Sequence, residues 1–177
     1  MATAKKLLKI VITGPFDAGK SQFIETISEI EVVSTERKIT TEDRQIKSET
    51  TVAMDFGRIT LSDCVMQLFG TPGQPRFEFM WEILAKEMDG FVILVDSTQP
   101  ERLDEAQRLL ELFRHLAPVP FIVAANKQDM AGAMRPNQIH RALNLSSGTP
   151  VLPSVSIEHD SVYSILVQLE HAIRFRG

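Results

Sequence analysis

The segment ITGPFDAGKSQF, residues 12–23, contains residue types that bind a phosphate. Gly14 is followed by four residues and then by Gly19, Lys20 and Ser21, which matches the P-loop pattern. In that pattern the glycines let backbone N–H groups turn toward a phosphate, the lysine reaches the outer phosphates and the hydroxyl ligates Mg²⁺. The spacing therefore predicts a phosphate-binding loop.

The residues on both sides of this loop determine whether it can work. KLLKIVI, residues 6–12, is short and nearly continuously apolar, which is typical of a strand buried on both faces of a parallel sheet. Phe23, Ile24, Ile27 and Ile30 follow with the spacing of one helix face. Strand, loop and helix thus occur in the order that directs a helix N-terminus at an anion. The alternative is a glycine turn that only joins a strand to a helix, with Lys20 in solvent.

Further apolar runs along the chain indicate the fold class. TVAMDFGRITL, CVMQLFG, GFVILVDS, PFIVAANK and PVLPSVS are strand-like, and helical patterns separate the last three. The clearest helices are PERLDEAQRLLELFRHL, residues 100–116, and SVYSILVQLEHAIRF, residues 161–175. With the first run this predicts an α/β fold, a mainly parallel six-stranded sheet flanked by helices, in one domain spanning 1–177. Residues 34–50 are polar, lack an apolar face and are predicted to form a long loop near the phosphates.

Composition excludes several functional classes. The net charge is −4 and no basic run occurs, so nucleic acid is not an expected partner. Cys64 is the single cysteine and is expected to be a buried strand residue. The apolar run near the N-terminus is too short for a signal peptide or a membrane span, and a cytoplasmic location is expected.

Four motifs in this order resemble those of the Ras-like small GTPases, over essentially the whole chain. Besides the P-loop they are TTVAMDFG, GTPGQPRF and NKQD, which begin at residues 50, 70 and 126. The resemblance implies a P-loop NTPase fold of the small G domain type and a switch that binds GTP or GDP with Mg²⁺ and hydrolyses GTP slowly. The Thr-Pro-Gly-Gln spelling looks more like the prokaryotic branch, including relatives of the gliding-motility switch MglA, which work with small roadblock-type partners.

The resemblance also implies a role for individual residues. Gln74 would orient the attacking water, Ser21 and Thr51 would ligate Mg²⁺, and Asp129 would accept hydrogen bonds from guanine. The nucleotide-binding set that it implies is Gly14, Asp17, Ala18, Gly19, Lys20, Ser21, Gln22, Thr51, Gly73, Asn126, Lys127, Asp129, Val155 and Ser156. Activating and exchange factors and effectors would bind through residues 34–56 and 70–82. The C-terminal sequence lacks the cysteine motif of a lipid anchor, so none is expected.

Three departures from the family pattern affect these expectations. Gly70 stands where the family has an aspartate that holds Mg²⁺ through water, which predicts a weaker metal site unless Asp55 or Asp96 fills the gap. By the resemblance, Phe16 would project toward the space that an inserted arginine occupies, and Ile157 replaces the lysine of the fifth motif. Ser48 stands where Gα proteins carry a built-in arginine, so acceleration by a partner is expected.

Two other functions remain open from the sequence. The first is a guanine-nucleotide-binding scaffold that does not hydrolyse GTP. The second is an ATPase or kinase in which Asp96, at the end of an apolar run, would be the metal-binding carboxylate. In that second case the NKQD motif would have no role.

Overall fold

The computed structural model describes residues 3–43, 46–72 and 77–176, and the side chains of residues 34–53 lie outside that description. Within these ranges the strands are β1 (Lys6–Thr13), β2 (Val33–Asp43), β3 (Ile46–Thr60), β4 (Cys64–Gly70), β5 (Gly90–Asp96), β6 (Phe121–Asn126) and β7 (Val151–Pro153). The helices are α1 (Lys20–Ile27), α2 (Glu78–Ala85), α3 (Leu103–Leu116), α4 (Pro136–Ala142) and α5 (His159–Arg174), and a 3-10 turn, Pro100–Arg102, precedes α3.

The strands form one sheet in the order β2-β3-β4-β1-β5-β6-β7. β4, β1, β5, β6 and β7 are parallel neighbours, whereas β3 pairs antiparallel with both β4 and β2. All residues of β5 are buried, because helices cover both faces of the sheet there. The predicted α/β fold with a mainly parallel sheet is confirmed, and its parallel strands end at one edge where ligands of such sheets bind.

Two apolar clusters pack on the two faces of the sheet. α1 and α5 cover one face with Phe23, Ile24 and Leu166, and α2, α3 and α4 cover the other with Trp81, Phe113 and other residues. The apolar stripes predicted for residues 100–116 and 161–175 therefore face the core. Cys64 is buried in β4 as expected, and burial raises the pKa of its thiol.

The prediction of a long loop at residues 34–50 is wrong. Apart from residues 44–45, which lie outside the described part, the backbone of this segment forms β2 and the beginning of β3. Pairing runs from Val33 with Phe56 to Asp43 with Ile46, so the sheet has seven strands rather than six. The hydrogen bonds of a hairpin join backbone groups, which every residue type carries, so pairing does not require an apolar period. The signal that the sequence did carry is a high content of threonine and isoleucine, which favour extended backbone.

The large apolar residues at positions 77–83, at the start of α2 and within it, lie partly in the core and partly at the surface. Phe77, Met80 and Trp81 are buried, while Phe79 and Ile83 are exposed. Three of the four large apolar residues at positions 77–81 are therefore core residues, although they lie in the segment 70–82 that is predicted to bind partners. Among the helices that the structure describes, none has the length and apolar character needed to cross a membrane.

Candidate functional site

The phosphate-binding loop lies between the end of β1 and the start of α1. Its two glycines occupy positions where a larger residue would clash with neighbouring atoms. Gly14 has φ +148°, and a Cβ atom there would lie 2.4 Å from the carbonyl oxygen of Leu94 on β5. Gly19 has φ +103°, and its Cβ would lie 2.4 Å from Nδ2 of Asn126. Because real Cβ atoms do not approach so closely, glycine is required where the loop passes against the neighbouring strands.

Lys20 is buried at the start of α1 and its ammonium stays within the loop. Nζ donates hydrogen bonds to the carbonyl oxygens of Gly14 at 2.7 Å and Pro15 at 2.8 Å. Burial lowers the pKa of Lys20 to about 8, and the carboxylates of Glu105, Asp17 and Asp55 oppose this only in part. A buried cation with a destabilised charge is suited to binding an anion, because the anion would offset the cost of burial.

Ser21 and Asp55 form the second polar contact of the loop. The hydroxyl of Ser21 donates to Oδ2 of Asp55, which lies on β3. Asp55 is the register partner of Gly70 on β4, and a Cβ atom on Gly70 would lie 3.6 Å from Oδ2 of Asp55. The carboxylate of Asp55 therefore occupies the space that an aspartate at position 70 would use. A carboxylate from the adjacent strand thus lies beside Ser21 although position 70 is glycine.

Asn126 joins the three loops of the site. Its Nδ2 donates to the carbonyl oxygen of Ala18 at 2.8 Å, and its Oδ1 accepts from the backbone N–H of Ser156 at 3.1 Å. The hydroxyl of Thr26 on α1 donates to the carbonyl oxygen of Ser156. The NKQD motif, the P-loop and the loop after β7 thus form one hydrogen-bonded unit, and Asn126 is nearly fully buried within it.

Lys127 and Asp96 make an ion pair beside this unit. Lys127 Nζ lies 2.7 Å from Asp96 Oδ2, and Thr98 donates to Asp96 Oδ1 from both its N–H and its hydroxyl. Burial alone would raise the pKa of Asp96, but the hydrogen bonds from Lys127 and Thr98 outweigh it and hold that pKa below its usual value. The register of β5 with β6 places Asp96 directly opposite Asn126.

Asp129 and Ser156 belong to the loops that follow β6 and β7. The side chain of Asp129 is exposed, two residues beyond Lys127, whose backbone has φ +64°. Gln128 braces the turn by donating to Ser97 Oγ at 2.9 Å and to the carbonyl oxygen of Met134 at 2.8 Å. Ser156 Oγ is buried with no hydrogen-bond partner among the described residues, which is unfavourable unless a ligand supplies one.

Other predicted site residues are less closely integrated. Gln22 is exposed and bonds Thr26, and the backbone N–H of Val155 donates to Ser161 Oγ. The backbone of Thr51 lies in β3 opposite Lys38, but its side chain is outside the described part. Gly73 and Gln74 lie outside the described residues, so their roles stay predictions.

The residues that the sequence missed entirely, or assigned to another role, make contacts across the fold. The sequence indicated Asp55 and Asp96 only as alternative carboxylates for a metal, and it carried no signal for Arg102 and Glu105. Arg102 contacts the P-loop, and the charge of Glu105 partly opposes the lowering of the Lys20 pKa by burial. For Asp96, its position at the carboxyl end of a strand next to NKQD was a usable signal.

Ser21 and Asp55 offer the donor types that Mg²⁺ prefers. A hydroxyl and a carboxylate are hard oxygen ligands, and Mg²⁺ is usually held by one or two such groups together with phosphates and water. The described residues contain no cluster of three or more histidine, cysteine or acidic side chains that could hold a metal by itself. The site therefore fits a metal that arrives with a phosphate ligand.

Comparisons with known proteins agree with this geometry. The model of the ADP-ribosylation factor family matches residues 1–167. An uncharacterised protein of Methanocaldococcus jannaschii is 30% identical over 128 residues, which cover 71% of this chain and 73% of that protein. ADP-ribosylation factor-like protein 2 of Arabidopsis thaliana is 27% identical over 146 residues, covering 81% of this chain and 72% of the relative.

A solved structure shows the same fold. The Arl6 BBS3 small GTPase from Trypanosoma brucei, with the bound nucleotide analogue GppNp, matches with a TM-score of 0.75 at 19% identity, over 97% of this chain and 100% of that chain. The resemblance to Ras-like small GTPases is confirmed, while the resemblance to relatives of MglA stays a prediction. Because the family model spans residues 1–167, this chain belongs to the ADP-ribosylation factor family of Ras-like, GTP-binding small GTPases.

Proposed function

We propose that this protein is a guanine-nucleotide switch that binds GTP or GDP with Mg²⁺ and hydrolyses GTP slowly, with acceleration by a partner protein. The observation that carries the proposal is the unit centred on Asn126, which joins the P-loop to the NKQD motif and to Ser156. This arrangement holds a phosphate-binding loop and a base-recognition motif at a fixed separation. A P-loop that binds only phosphate does not require it.

Guanine recognition is assigned to Asp129. Its exposed carboxylate can accept two hydrogen bonds from a base, which suits the N1 and exocyclic amine of guanine and not the edge of adenine. The unpartnered Ser156 hydroxyl and the braced turn at Gln128 support a ligand at this end. Lys127, held by Asp96, would lie along the base.

Metal binding is assigned to Ser21 and Thr51 as ligands, with Asp55 as the adjacent carboxylate. Mg²⁺, when bound, neutralises charge on the β- and γ-phosphate oxygens. Asp55 holds the Ser21 hydroxyl, so this pair is positioned before any ligand binds. The contact to Asp55 supports an ordinary rather than a weakened metal site.

Hydrolysis needs little covalent chemistry from the protein. Lys20 and the loop N–H groups would stabilise charge on the transferred phosphoryl group, and Gln74 would orient the water. Arg58, one of the arginines that could assist, is bound to Glu29 at 3.2 Å, while Arg37, Arg44 and Arg76 have side chains outside the described part. A slow rate that a partner accelerates follows from the absence of an arginine at position 48.

Partners would read residues 34–56 and 70–82, and the proposal includes a roadblock-type regulator. Phe79 and Ile83 are exposed at 48% and 60%, one helical turn apart on α2. Together with the exposed Phe16 they provide apolar side chains of the kind enriched in interfaces. A pull-down that compares GDP-bound protein with protein bound to a non-hydrolysable GTP analogue would test state-dependent binding.

The two alternatives differ in measurable ways. In the ATPase alternative Asp96 would serve the metal, but its carboxylate is bound by Lys127 and Thr98. Comparing GTP with ATP binding tests that alternative, and equal affinity would exclude guanine selectivity. Single-turnover phosphate release, for wild type and Gln74→Leu, tests the scaffold alternative. Wild-type protein that never hydrolyses GTP, with or without a partner, would establish the scaffold instead.

A further inference from the structure

Arg102 contacts the phosphate-binding loop from outside the motifs. It ends the 3-10 turn before α3, and its Nη1 donates a hydrogen bond of 2.8 Å to the carbonyl oxygen of Phe16. The same nitrogen lies 4.0 Å from Oε2 of Glu105, one turn further along the chain. Nη1 thus contacts a backbone carbonyl and lies near a carboxylate, and both contacts restrain this end of the guanidinium group.

The bonded peptide unit is the strained one in the loop. Asp17 has φ +62°, a left-handed conformation that disfavours residues with a Cβ atom. The carbonyl of Phe16 and the N–H of Asp17 belong to one trans peptide plane, in which they point in opposite directions. Because Arg102 fixes the carbonyl on the α3 side, the N–H of Asp17 is directed away from α3.

We propose that Arg102 is a positioning residue of the nucleotide site, which holds the Phe16–Asp17 peptide so that the Asp17 N–H is directed at a bound phosphate. This inference rests on the proposed function, because a nucleotide must bind for the orientation to matter. A hydrogen bond from a charged donor is stronger than a neutral one, so it can hold a backbone conformation that Asp17 would otherwise leave. Loss of Arg102 lets this peptide rotate and removes one phosphate donor.

The test compares the effect of Arg102→Ala in backgrounds that differ at position 17. Asp17→Gly and Asp17→Ala both remove the carboxylate, but only glycine adopts a positive φ without strain. The release rate of a fluorescent GDP analogue is measured by stopped flow. We expect Arg102→Ala to accelerate release about tenfold in the wild type and at least as much in the Asp17→Ala background. In the Asp17→Gly background the acceleration should be less than about twofold. These values assume the ordinary strength of a charged hydrogen bond.

Controls separate the local contact from a general effect of charge or stability. Arg108 is an exposed arginine on α3, and Arg108→Ala should change release less than about twofold. Arg102→Lys keeps the charge and should accelerate release of the GDP analogue less than Arg102→Ala does. The free energy of unfolding of nucleotide-free protein, measured for the same variants, should show the same dependence on the residue at position 17.

The outcomes distinguish this inference from the proposed function. Wild-type protein that fails to bind the GDP analogue refutes the proposed function, and with it the positioning of a nucleotide. Normal binding with an equal effect of Arg102→Ala in the Asp17→Gly and Asp17→Ala backgrounds overturns only the role of Arg102. If Arg102→Ala leaves the release rate unchanged in the wild-type background, the role of Arg102 is overturned as well.

Discussion

Exchanging the residues at positions 55 and 70 tests whether the metal-site carboxylate has moved to another strand. Asp55→Gly combined with Gly70→Asp transfers the carboxylate from β3 to β4 without changing the charge. The two positions are register partners in an antiparallel pair, and the Cβ atom of residue 70 would lie 3.3 Å from that of Asp55. The transferred carboxylate can therefore approach Ser21 from nearly the same place.

The single variants set the scale of the effect. Asp55→Asn removes the charge, and losing a carboxylate that orients a metal ligand typically reduces metal affinity by about 10- to 100-fold. Gly70→Asp adds a second carboxylate next to Asp55. The Cβ atom of the new side chain would lie 3.6 Å from Oδ2 of Asp55 and 3.0 Å from Cδ1 of Ile24, which it crowds. Two charges about 4 Å apart repel by about 4 kcal/mol at most in a partly exposed site. Gly70→Asp alone should therefore destabilise the protein, whereas it should tighten the metal site if no other acid already supplies the carboxylate.

The assay is the Mg²⁺ dependence of GDP release, with urea denaturation of each variant in parallel. Gly70→Asn is the control for crowding, because it has the size of aspartate and no charge. We expect Asp55→Asn to need about 10- to 100-fold more Mg²⁺ for the same release rate, and the exchanged double variant to recover most of this. If Gly70→Asp alone tightens Mg²⁺ dependence without loss of stability, Asp55 is not the carboxylate of the metal site.

Three further predictions concern the P-loop and the base-recognition motif. The pKa of Lys20 is lowered from 10.5 to about 8, so between these pH values the unfolded chain binds a proton that the folded protein does not. The free energy of unfolding of nucleotide-free protein should therefore rise from pH 8 to 10.5, by at most about 3 kcal/mol, and Lys20→Met should abolish this rise. Gly19→Ala should lower the free energy of unfolding, measured by urea denaturation, by several kcal/mol. Gly132 also has a positive φ, but its Cβ would meet no atom within 4 Å, so Gly132→Ala should lower it by only about 1 kcal/mol. Equal losses would contradict the contact with Asn126. Asp129→Asn should shift nucleotide preference from GTP toward xanthosine triphosphate in competition binding, and an unchanged preference would exclude Asp129 as the base-recognition residue.

The sequence predicted the features whose cause is local. The P-loop requires a strand, a glycine loop and a helix in succession, and these lie within residues 6–27. NKQD follows a strand directly, so the parallel fold alone brings Asn126 to the edge of the sheet that holds the P-loop. Each of these inferences needed only neighbouring residues and the rule that parallel strands end together.

The features that the sequence missed depend on pairing between distant residues. Arg102 contacts Phe16 across 86 positions, and no spacing rule connects a residue at the start of α3 with the P-loop. The hairpin of β2 with β3 was missed because residues 34–50 show no apolar period. Its strand character comes from backbone pairing, which only the register reveals.

The carboxylate at Asp55 shows why a missing motif residue is weak evidence for a missing function. Side chains of register partners in an antiparallel pair project from the same face, and here the two Cβ positions would lie 3.3 Å apart. Either strand can thus present an acid to the same atom, here the hydroxyl of Ser21. Comparison of this chain with the motif finds glycine at position 70, because such a comparison uses positions in the sequence. The chemistry depends on positions in space, and Asp55 supplies the carboxylate from 15 residues earlier in the chain.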